Sequence, residues 1–477
     1  VSTAAGRRNV SWHYPRVAAA ALWLALAGCA GAPPPKLAPP LPAQWRHDVA
    51  AAAAPTDLHG WWHAFGDAQL DALVDAALAG NLNVAQARER LLAARVLRSH
   101  EVTHFLPQLH ARTEDAIDPD ASASFFVAGF DATWELGLFG RAAASRNKSQ
   151  GQLDAAAADV ASARVSLVGE VVREWLALRA AQQREHWLGD IRDMQQEQLT
   201  LLRVRQQLQL APAAAVDSAE AALAQAQAAL VEPRLAIDTA TQRLAVLLGR
   251  NEPDPAWFEP APLPALGALQ LAGTPADLLR SRPEIARAQA EVLSAAGDAG
   301  LARAERFPNI TIGGSLVWST DITSYRRTSD RGIYSLGPLI DIPLFDWGMR
   351  AAAAHARQHE LQAAVLAYRQ AVLEGVSDVE LALGGLQQQR ERERQSAIAS
   401  AALQRADAAV ATRVALRLAS PLERTDSRVA LEQAQLAEVD ARAARGLAYV
   451  ALFKALGGAP LPAADASTAD AAAKDPR

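Results

Sequence analysis

The sequence has one cysteine, Cys29, in 477 residues. That excludes an intramolecular disulfide framework and any multi-cysteine zinc or iron–sulfur site. Aromatic residues make up only 5% of the chain, and charge is nearly balanced, with 47 Lys+Arg against 52 Asp+Glu and a formal net charge of -5. The basic residues form no block, so no nucleic-acid partner is indicated. The apolar run near the start, Val17 to Ala27, is too short for a spanning helix, which needs about 20 residues. The chain has no glycine-rich phosphate loop, no His-Glu-x-x-His motif and no justified Ser-His-Asp grouping. His355 and His359 share a helical face at i, i+4, but a third ligand is missing, so a surface or lumen-facing pair is expected. No catalytic residue and no metal is expected.

What the chain does have is alanine, leucine, glutamine, glutamate and arginine in long stretches, which is helix-forming chemistry. Half of the residues are apolar, which excludes a disordered chain. The length allows two to four compact domains or one elongated body. Arg7, Arg8 and Arg16 precede the run from Val17 to Ala27, in the pattern of a secretory signal over residues 1–28. The run ends Leu26-Ala27-Gly28-Cys29. This resembles the lipobox of bacterial lipoproteins, with Cys29 as the lipidated first residue of the mature chain. Ala30 follows it, where aspartate would favour inner-membrane retention, and this points to the outer membrane. Residues 29–60 contain Pro33-Pro34-Pro35 and Pro39-Pro40, the composition of an extended, semi-rigid tether.

The body is a duplication. Leu223-x-Gln225-Ala226-Gln227 recurs 208 residues later as Leu431-x-Gln433-Ala434-Gln435, and Leu248-Gly249 recurs as Leu456-Gly457. Pro107 matches Pro308 at an offset of 201, and Phe139 is matched to Phe345 at 206. The halves span 61–257 and 274–459, joined by a connector over 258–273 and followed by a low-complexity tail over 460–477, expected to be disordered. Each half opens with a helix, Asp67 to about His104 and Pro275 to about Arg306, stopped by Pro107 or Pro308. Alternating stretches follow. Phe126, Ala128, Phe130, Ala132 and Trp134 share a face, as do Ile310, Ile312, Leu316 and Trp318, and Tyr334, Leu336 and Ile340. The opposite faces carry Asp131, Thr133, Glu135, Thr311 and Ser315. Then come two long helical patterns, Arg141 to about Leu210 and Arg350 to about Leu418. About 70 residues at 1.5 Å each make a rod of roughly 100 Å. Each is broken near Pro212 or Pro421 and followed by a returning helix to Leu248 or Leu456.

The expected fold is mainly α with a small β part: two tandem repeats, each a long helical hairpin plus two transmembrane strands. Four strands cannot close a barrel, and open strand edges cannot face lipid. Three copies would supply twelve strands, enough for a pore, with the helices continuing as a coiled-coil tunnel.

At Trp61-Trp62-x-x-Phe65-Gly66-Asp67 the chain resembles the TolC-type outer membrane factors, in the NodT/OprM-like branch of efflux lipoproteins. Trp134-Glu135-Leu136-x-Leu138-Phe139-Gly140-Arg141, Arg282-Pro283-Glu284-Ile285, Phe307-Pro308-Asn309-Ile310 and Pro343-Leu344-Phe345-Asp346-x-Gly348 are similar to that branch's later markers, in order over about residues 41–459. Gly137 departs from the branch, which has aspartate there. The resemblance implies a homotrimer in the outer membrane of a Gram-negative bacterium, acting as a passive duct without active-site chemistry. It implies a periplasmic adaptor protein and an inner-membrane pump of RND type as partners, and outer membrane lipid around the strands. It requires no cofactor beyond the lipid on Cys29.

By the same resemblance Pro421-Leu422-Glu423-Arg424-Thr425-Asp426 aligns with the periplasmic gate. Leu422 would supply an apolar constriction and Asp426 an acidic ring, with Arg417 and Arg424 able to hold helices shut through ion pairs. Leu210, Pro212, Leu418 and Pro421 at the hairpin tips are candidate adaptor contacts. The function expected is the exit duct of a tripartite efflux system for small toxic compounds. The alternatives are a channel of a type I-like protein secretion system and a lipid-anchored periplasmic coiled-coil scaffold, which would have no use for the alternating strands.

Overall fold

The computed structural model describes residues 33, 35–37, 42, 44–47, 58–116, 125–267, 279, 281–321 and 331–459. Cys29, the signal, most of the tether, residues 268–273 of the connector and the tail lie outside the described residues.

In the first half the elements are α1 (Ala68–Gly80), α2 (Leu82–His100), β1 (Gln108–Ala116), β2 (Phe125–Glu135), α3 (Arg141–Gln207), α4 (Ala213–Ala229) and α5 (Val231–Leu247). The second half has α6 (Pro283–Ala304), β3 (Asn309–Asp321), β4 (Arg331–Asp341), α7 (Met349–Ala415) and α8 (Pro421–Ala455). The order repeats, and α3 and α7 each run for 67 residues.

The repeat shows where the helices start and stop. Gln209 (φ 61°) and Arg417 (φ 58°) are left-handed residues just past α3 and α7. Leu210 N–H returns to Arg205 O at 2.7 Å, and Leu418 N–H to Arg413 O at 2.8 Å. This is the turn that satisfies the last carbonyls of a helix. The same device ends α5 and α8, at Gly249 (φ 72°) and Gly457 (φ 74°).

Several expectations need correction. The single helix from Asp67 to about His104 is broken at Asn81, whose extended backbone separates α1 from α2. Asn81 Oδ1 accepts from Asn83 N–H at 2.9 Å and Val84 N–H at 3.1 Å, while its Nδ2 donates to Leu247 O at 2.9 Å. One side chain thus starts α2 and finishes α5. The expected start at Pro275 lies outside the described residues, but the helix is not continuous to Arg306, because a turn at Ser281 and Arg282 precedes α6. The first returning helix is two helices meeting at Leu230. Pro233 is the cause, since it lacks an N–H and its ring collides with the carbonyl four residues back. At the equivalent position of the second half, 233 + 208, stands Ala441, and α8 runs unbroken for 35 residues.

The match of Phe139 to Phe345 is also corrected. Phe139 (φ 53°) precedes Gly140 (φ 80°), and Trp347 (φ 55°) precedes Gly348 (φ 82°). Arg141 N–H reaches Leu138 O, and Met349 N–H reaches Asp346 O, each at 3.1 Å. Phe139 is therefore equivalent to Trp347, at the offset of 208 that the hairpin registers share, since Gln108 faces Thr133 as Asn309 faces Asp341.

The described residues fall into two compact units, and each draws on both halves. One takes Leu91–Ala156 and Arg287–Arg369, and the other Pro39–Arg90, Ala157–Ala286 and Gln370–Arg477. The first holds the sheet, of order β1-β2-β3-β4 with every pair antiparallel. Beside it α3 and α6 touch backbone to backbone. A Cβ at Gly297 would lie 2.4 Å from Lys148 N, and one at Gly151 would lie 2.4 Å from Ser294 N.

The second unit holds the larger core, and its packing explains the opening signature. Trp61 stacks on Phe453 at 5.3 Å, and Phe65 meets Tyr449 edge-on at 5.6 Å. Gly66 takes φ 61°, which frees Asp67 to cap α1 by accepting from the N–H groups of Gln69 and Leu70. The other Asp67 oxygen accepts from Trp175 Nε1 at 2.7 Å. Arg179 is buried with its guanidinium 4.1 Å above the Trp175 ring, donating to Gln69, Gln182 and the Glu259 carbonyl. Burial lowers its pKa, opposed by Asp67. Arg282 of the second-half signature is likewise buried, donating to Gly375 O at 3.1 Å and Asp378 at 2.9 Å.

Candidate functional site

Two regions carry features that the cores do not explain. In the first unit, residues directly opposite in the antiparallel pairs share a face. One row reads Ala111, Phe130, Leu316, Tyr334, and the next reads Leu109, Ala132, Gly314, Leu336. Trp134 pairs with Ile312, Ile310 with Ile340, and Ala128 with Trp318. Apart from Thr113, the described side chains of this face are apolar, yet Tyr334 is 84% exposed, Leu336 82% and Leu109 71%. The other face carries His110, Arg112, Asp131, Thr133, Ser315 and Ser335. Arg112 approaches Asp131 at 3.8 Å, and the hydroxyls of Ser315 and Ser335 are 2.8 Å apart. The four-strand faces expected from the sequence are those observed, with one omission. β1 has no apolar alternation of its own strong enough to mark it, and pairing with β2 defines it.

From Ala128 to Trp134 the apolar face runs roughly 20 Å at 3.3 Å per residue, close to the height of a membrane barrel's apolar band. Trp134 closes its lower end, with Nε1 donating to Phe105 O at 2.9 Å. Among the described residues β1 and β4 are sheet edges, each with one side of its backbone unpaired.

In the second unit the hairpins α3–α4 and α7–α8 end in matched tips. Leu208 and Leu210 are exposed on one, and Leu416 and Leu418, each 208 residues later, on the other. Pro212 precedes α4, and Pro421 is the first residue of α8, where its missing N–H costs nothing. Ser420 Oγ accepts from Glu423 N–H at 3.1 Å, with the Glu423 carboxylate reaching back to Ser420 N–H in a capping box. Leu422 is half-buried in the first turn of α8. Asp426 is exposed and accepts from Gln198 Nε2 at 3.3 Å. Arg417 lies in the left-handed turn and is exposed.

Arg424 does pair, across its own hairpin. It donates to the carboxylate and to the carbonyl of Asp407 on α7, and Ser427 Oγ donates to the same carboxylate at 3.1 Å. Asp407 is buried, and the Arg424 guanidinium, with help from Ser427, holds its pKa below the usual carboxylate value. Asp407 in turn raises the pKa of Arg424. The sequence reading missed Asp407 and Ser427, although the 208-residue repeat could have found them. Subtracting 208 from 407, 424 and 427 gives Leu199, Val216 and Ala219, which form the apolar cluster at the other tip, with Leu202 and Leu223 against it. One hairpin tip is tied by charge and hydrogen bonds, the other by apolar packing.

A sheet that is apolar on one side and open at both edges, joined in sequence to two long helical hairpins, defines the protomer class of a β-sheet-and-helical-tunnel channel. The chain belongs to the outer membrane efflux protein family, whose model matches residues 73–250 and 274–458. It is 29% identical over 463 residues to the pyoverdine export outer membrane protein OpmQ of Pseudomonas aeruginosa, covering 91% of this chain and 94% of that one. It is 28% identical to nodulation protein T of Rhizobium leguminosarum bv. viciae, over 78% of each chain. The structure of the outer-membrane channel OprN superposes with a TM-score of 0.78 at 27% identity, over 90% of this chain and all of that one. The chain is thus an outer membrane efflux channel protein. No helix among the described residues is long and apolar enough to cross a membrane.

Proposed function

We propose that the chain is the exit duct of a tripartite efflux system. Three copies pool their sheets into a twelve-stranded barrel, and the hairpins form a tunnel through the periplasm. The observation that carries this reading is the register of the sheet, which gathers Phe130, Trp134, Trp318 and Tyr334 with Leu109, Ile310, Leu316 and Leu336 on one face while both edges stay open. An unpaired edge in hydrocarbon costs several kcal/mol for each unsatisfied group, by the order of magnitude for buried polar groups. Closure with further copies removes that cost and leaves the polar face lining a water-filled pore.

Cys29 carries the lipid that fixes the chain to the outer membrane. A periplasmic adaptor protein docks at the tips through Leu210, Pro212, Leu418 and Pro421, and an RND-type inner-membrane pump drives small toxic compounds into the duct. Leu422 and Asp426, backed by Arg417 and Arg424, form the periplasmic constriction. OpmQ is an export protein by name, which supports export over a scaffold role. Planar-bilayer recording of the purified protein tests the duct. Discrete conductance steps are expected, and a protein that gives no pore under any condition defeats the reading.

A further inference from the structure

Arg179 and Gln182 lie about one turn apart on α3, and both are buried. They hold the stretch of chain that follows α5. Gln182 Nε2 donates to Trp257 O at 2.9 Å, and Arg179 Nη1 donates to Glu259 O at 2.8 Å. A guanidinium and an amide thus pin that stretch through its carbonyls alone. The offset of 208 carries this pair onto Gln387 and Arg390 of α7. The two donor types are kept and their order is exchanged. Here both side chains are exposed, and neither meets an acceptor among the described residues. They line a cavity of about 810 Å³ together with Gln388, Arg394, Arg445 and Gly267.

The chain leaves α8 as it leaves α5. Arg250 N–H returns to Ala245 O past the left-handed Gly249, and Gly458 N–H returns to Phe453 O past the left-handed Gly457, each at 2.8 Å. These two turns are themselves 208 residues apart. Trp257 and Glu259 lie eight and ten residues beyond Gly249. Eight and ten residues beyond Gly457 are Asp465 and Ser467, in the tail.

We infer that the C-terminal tail of this chain docks in the α7 cavity, with Arg390 donating to the Asp465 carbonyl and Gln387 to the Ser467 carbonyl. Because both bonds go to carbonyls, a tail of alanine, aspartate and serine serves as well as the Trp-Phe stretch of the first half. Charge favours the same occupant. Arg394 pairs with Glu391 at 2.8 Å and Arg445 with Glu393 at 2.8 Å, which leaves Arg390 as the uncommitted cation among the cavity's arginines. Asp465 is the first carboxylate that the tail brings to it. A segment joined to α8 by so short a linker competes at an effective concentration of about 1 mM, which a free peptide rarely reaches. The docking needs one chain only and does not depend on the duct reading.

Thiol accessibility tests this, with the unsubstituted chain and its single Cys29 as the blank. Gln388→Cys places a reporter in the cavity without removing either proposed donor. Its rate of labelling by a polar maleimide is measured in the full-length protein and in a chain ending at Ala459. Truncation is expected to raise the rate roughly tenfold, which at an effective concentration of about 1 mM corresponds to a Kd of about 0.1 mM for the separate tail. A synthetic peptide of residues 460–477 at about 1 mM is therefore expected to slow labelling of the truncated chain again. Gln387→Ala with Arg390→Ala in the full-length protein is expected to raise the rate as truncation does. Arg405→Cys, exposed elsewhere on α7, is expected to react equally in both chains. Equally fast labelling of Gln388→Cys with and without the tail shows an open cavity, and equally slow labelling shows one covered by the connector or by another copy. Either result overturns the inference, as does protection that survives the double alanine change.

Discussion

Asp407 has a buried carboxylate whose charge is held by Arg424 and Ser427. Removing one partner of such a pair costs more than removing all of it, because the survivor keeps its desolvation penalty. Asp407→Ala is therefore expected to destabilise the protein by roughly 1.5–3 kcal/mol, the lower part of that range reflecting water's access to Arg424. The triple change Asp407→Leu, Arg424→Val, Ser427→Ala copies the other tip and is expected to stay within about 1 kcal/mol of the parent. Chemical denaturation of the detergent-solubilised protein checks both. Because the folded pKa of Asp407 is lowered, its contribution is complete above the ordinary carboxylate value, about 3.9. It is lost as pH falls through the lowered folded value. The difference in melting temperature between parent and triple variant is thus expected to be flat from pH 7 to 5 and to change only in stronger acid.

Two further residue-scale outcomes follow from the proposed duct. Asp426→Ala is expected to raise leak conductance through the closed channel, measured in planar bilayers. Cys29→Ser is expected to abolish incorporation of radiolabelled palmitate. The proposed gate residues rest on resemblance alone, since an exposed aspartate in a helix carries no signal of its own. The Asp407 tie was hidden for another reason: charged residues in an amphipathic helix look solvated until the facing helix is placed.

At the scale of elements, the long helices and their ends were legible. Prolines and left-handed turns are local signals, and α3 and α7 end within three residues of the expected Leu210 and Leu418. The break at Leu230 was equally local, since Pro233 was in plain view. What obscured it was the assumption that both returning helices would match. Placing proline at the equivalent Ala441, a buried residue of α8, is expected to cost about 3 kcal/mol or more. A lowered denaturation midpoint at 222 nm reads the loss. β1 was not legible because Gln108, His110 and Arg112 leave only Leu109 and Ala111 as apolar markers. Its identity depends on the partner strand, as strand propensity commonly does.

For the whole molecule, duplication was the most informative signal in the sequence, and the turn equivalence was the place it misled. Matching Phe139 to Phe345 by residue type concealed the offset of 208 that the strand registers and the turn geometry share. A strain lacking the protein is expected to become sensitive to some members of a broad panel of toxic compounds, and restoring it with Asp407→Ala is expected to protect less at raised temperature. Growth inhibition across the panel measures both.

The fused repeat has a consequence for how such a channel evolves. A ring assembled from identical half-length chains would receive every substitution at all of its hairpins at once, and a charge introduced at one tip would appear at its neighbours too. With two halves in one gene, each tip has its own codons. This chain has Leu199, Val216 and Ala219 in one hairpin and Asp407, Arg424 and Ser427 in the other. Alternate hairpins around the ring are separate heritable traits, free to be tuned one at a time.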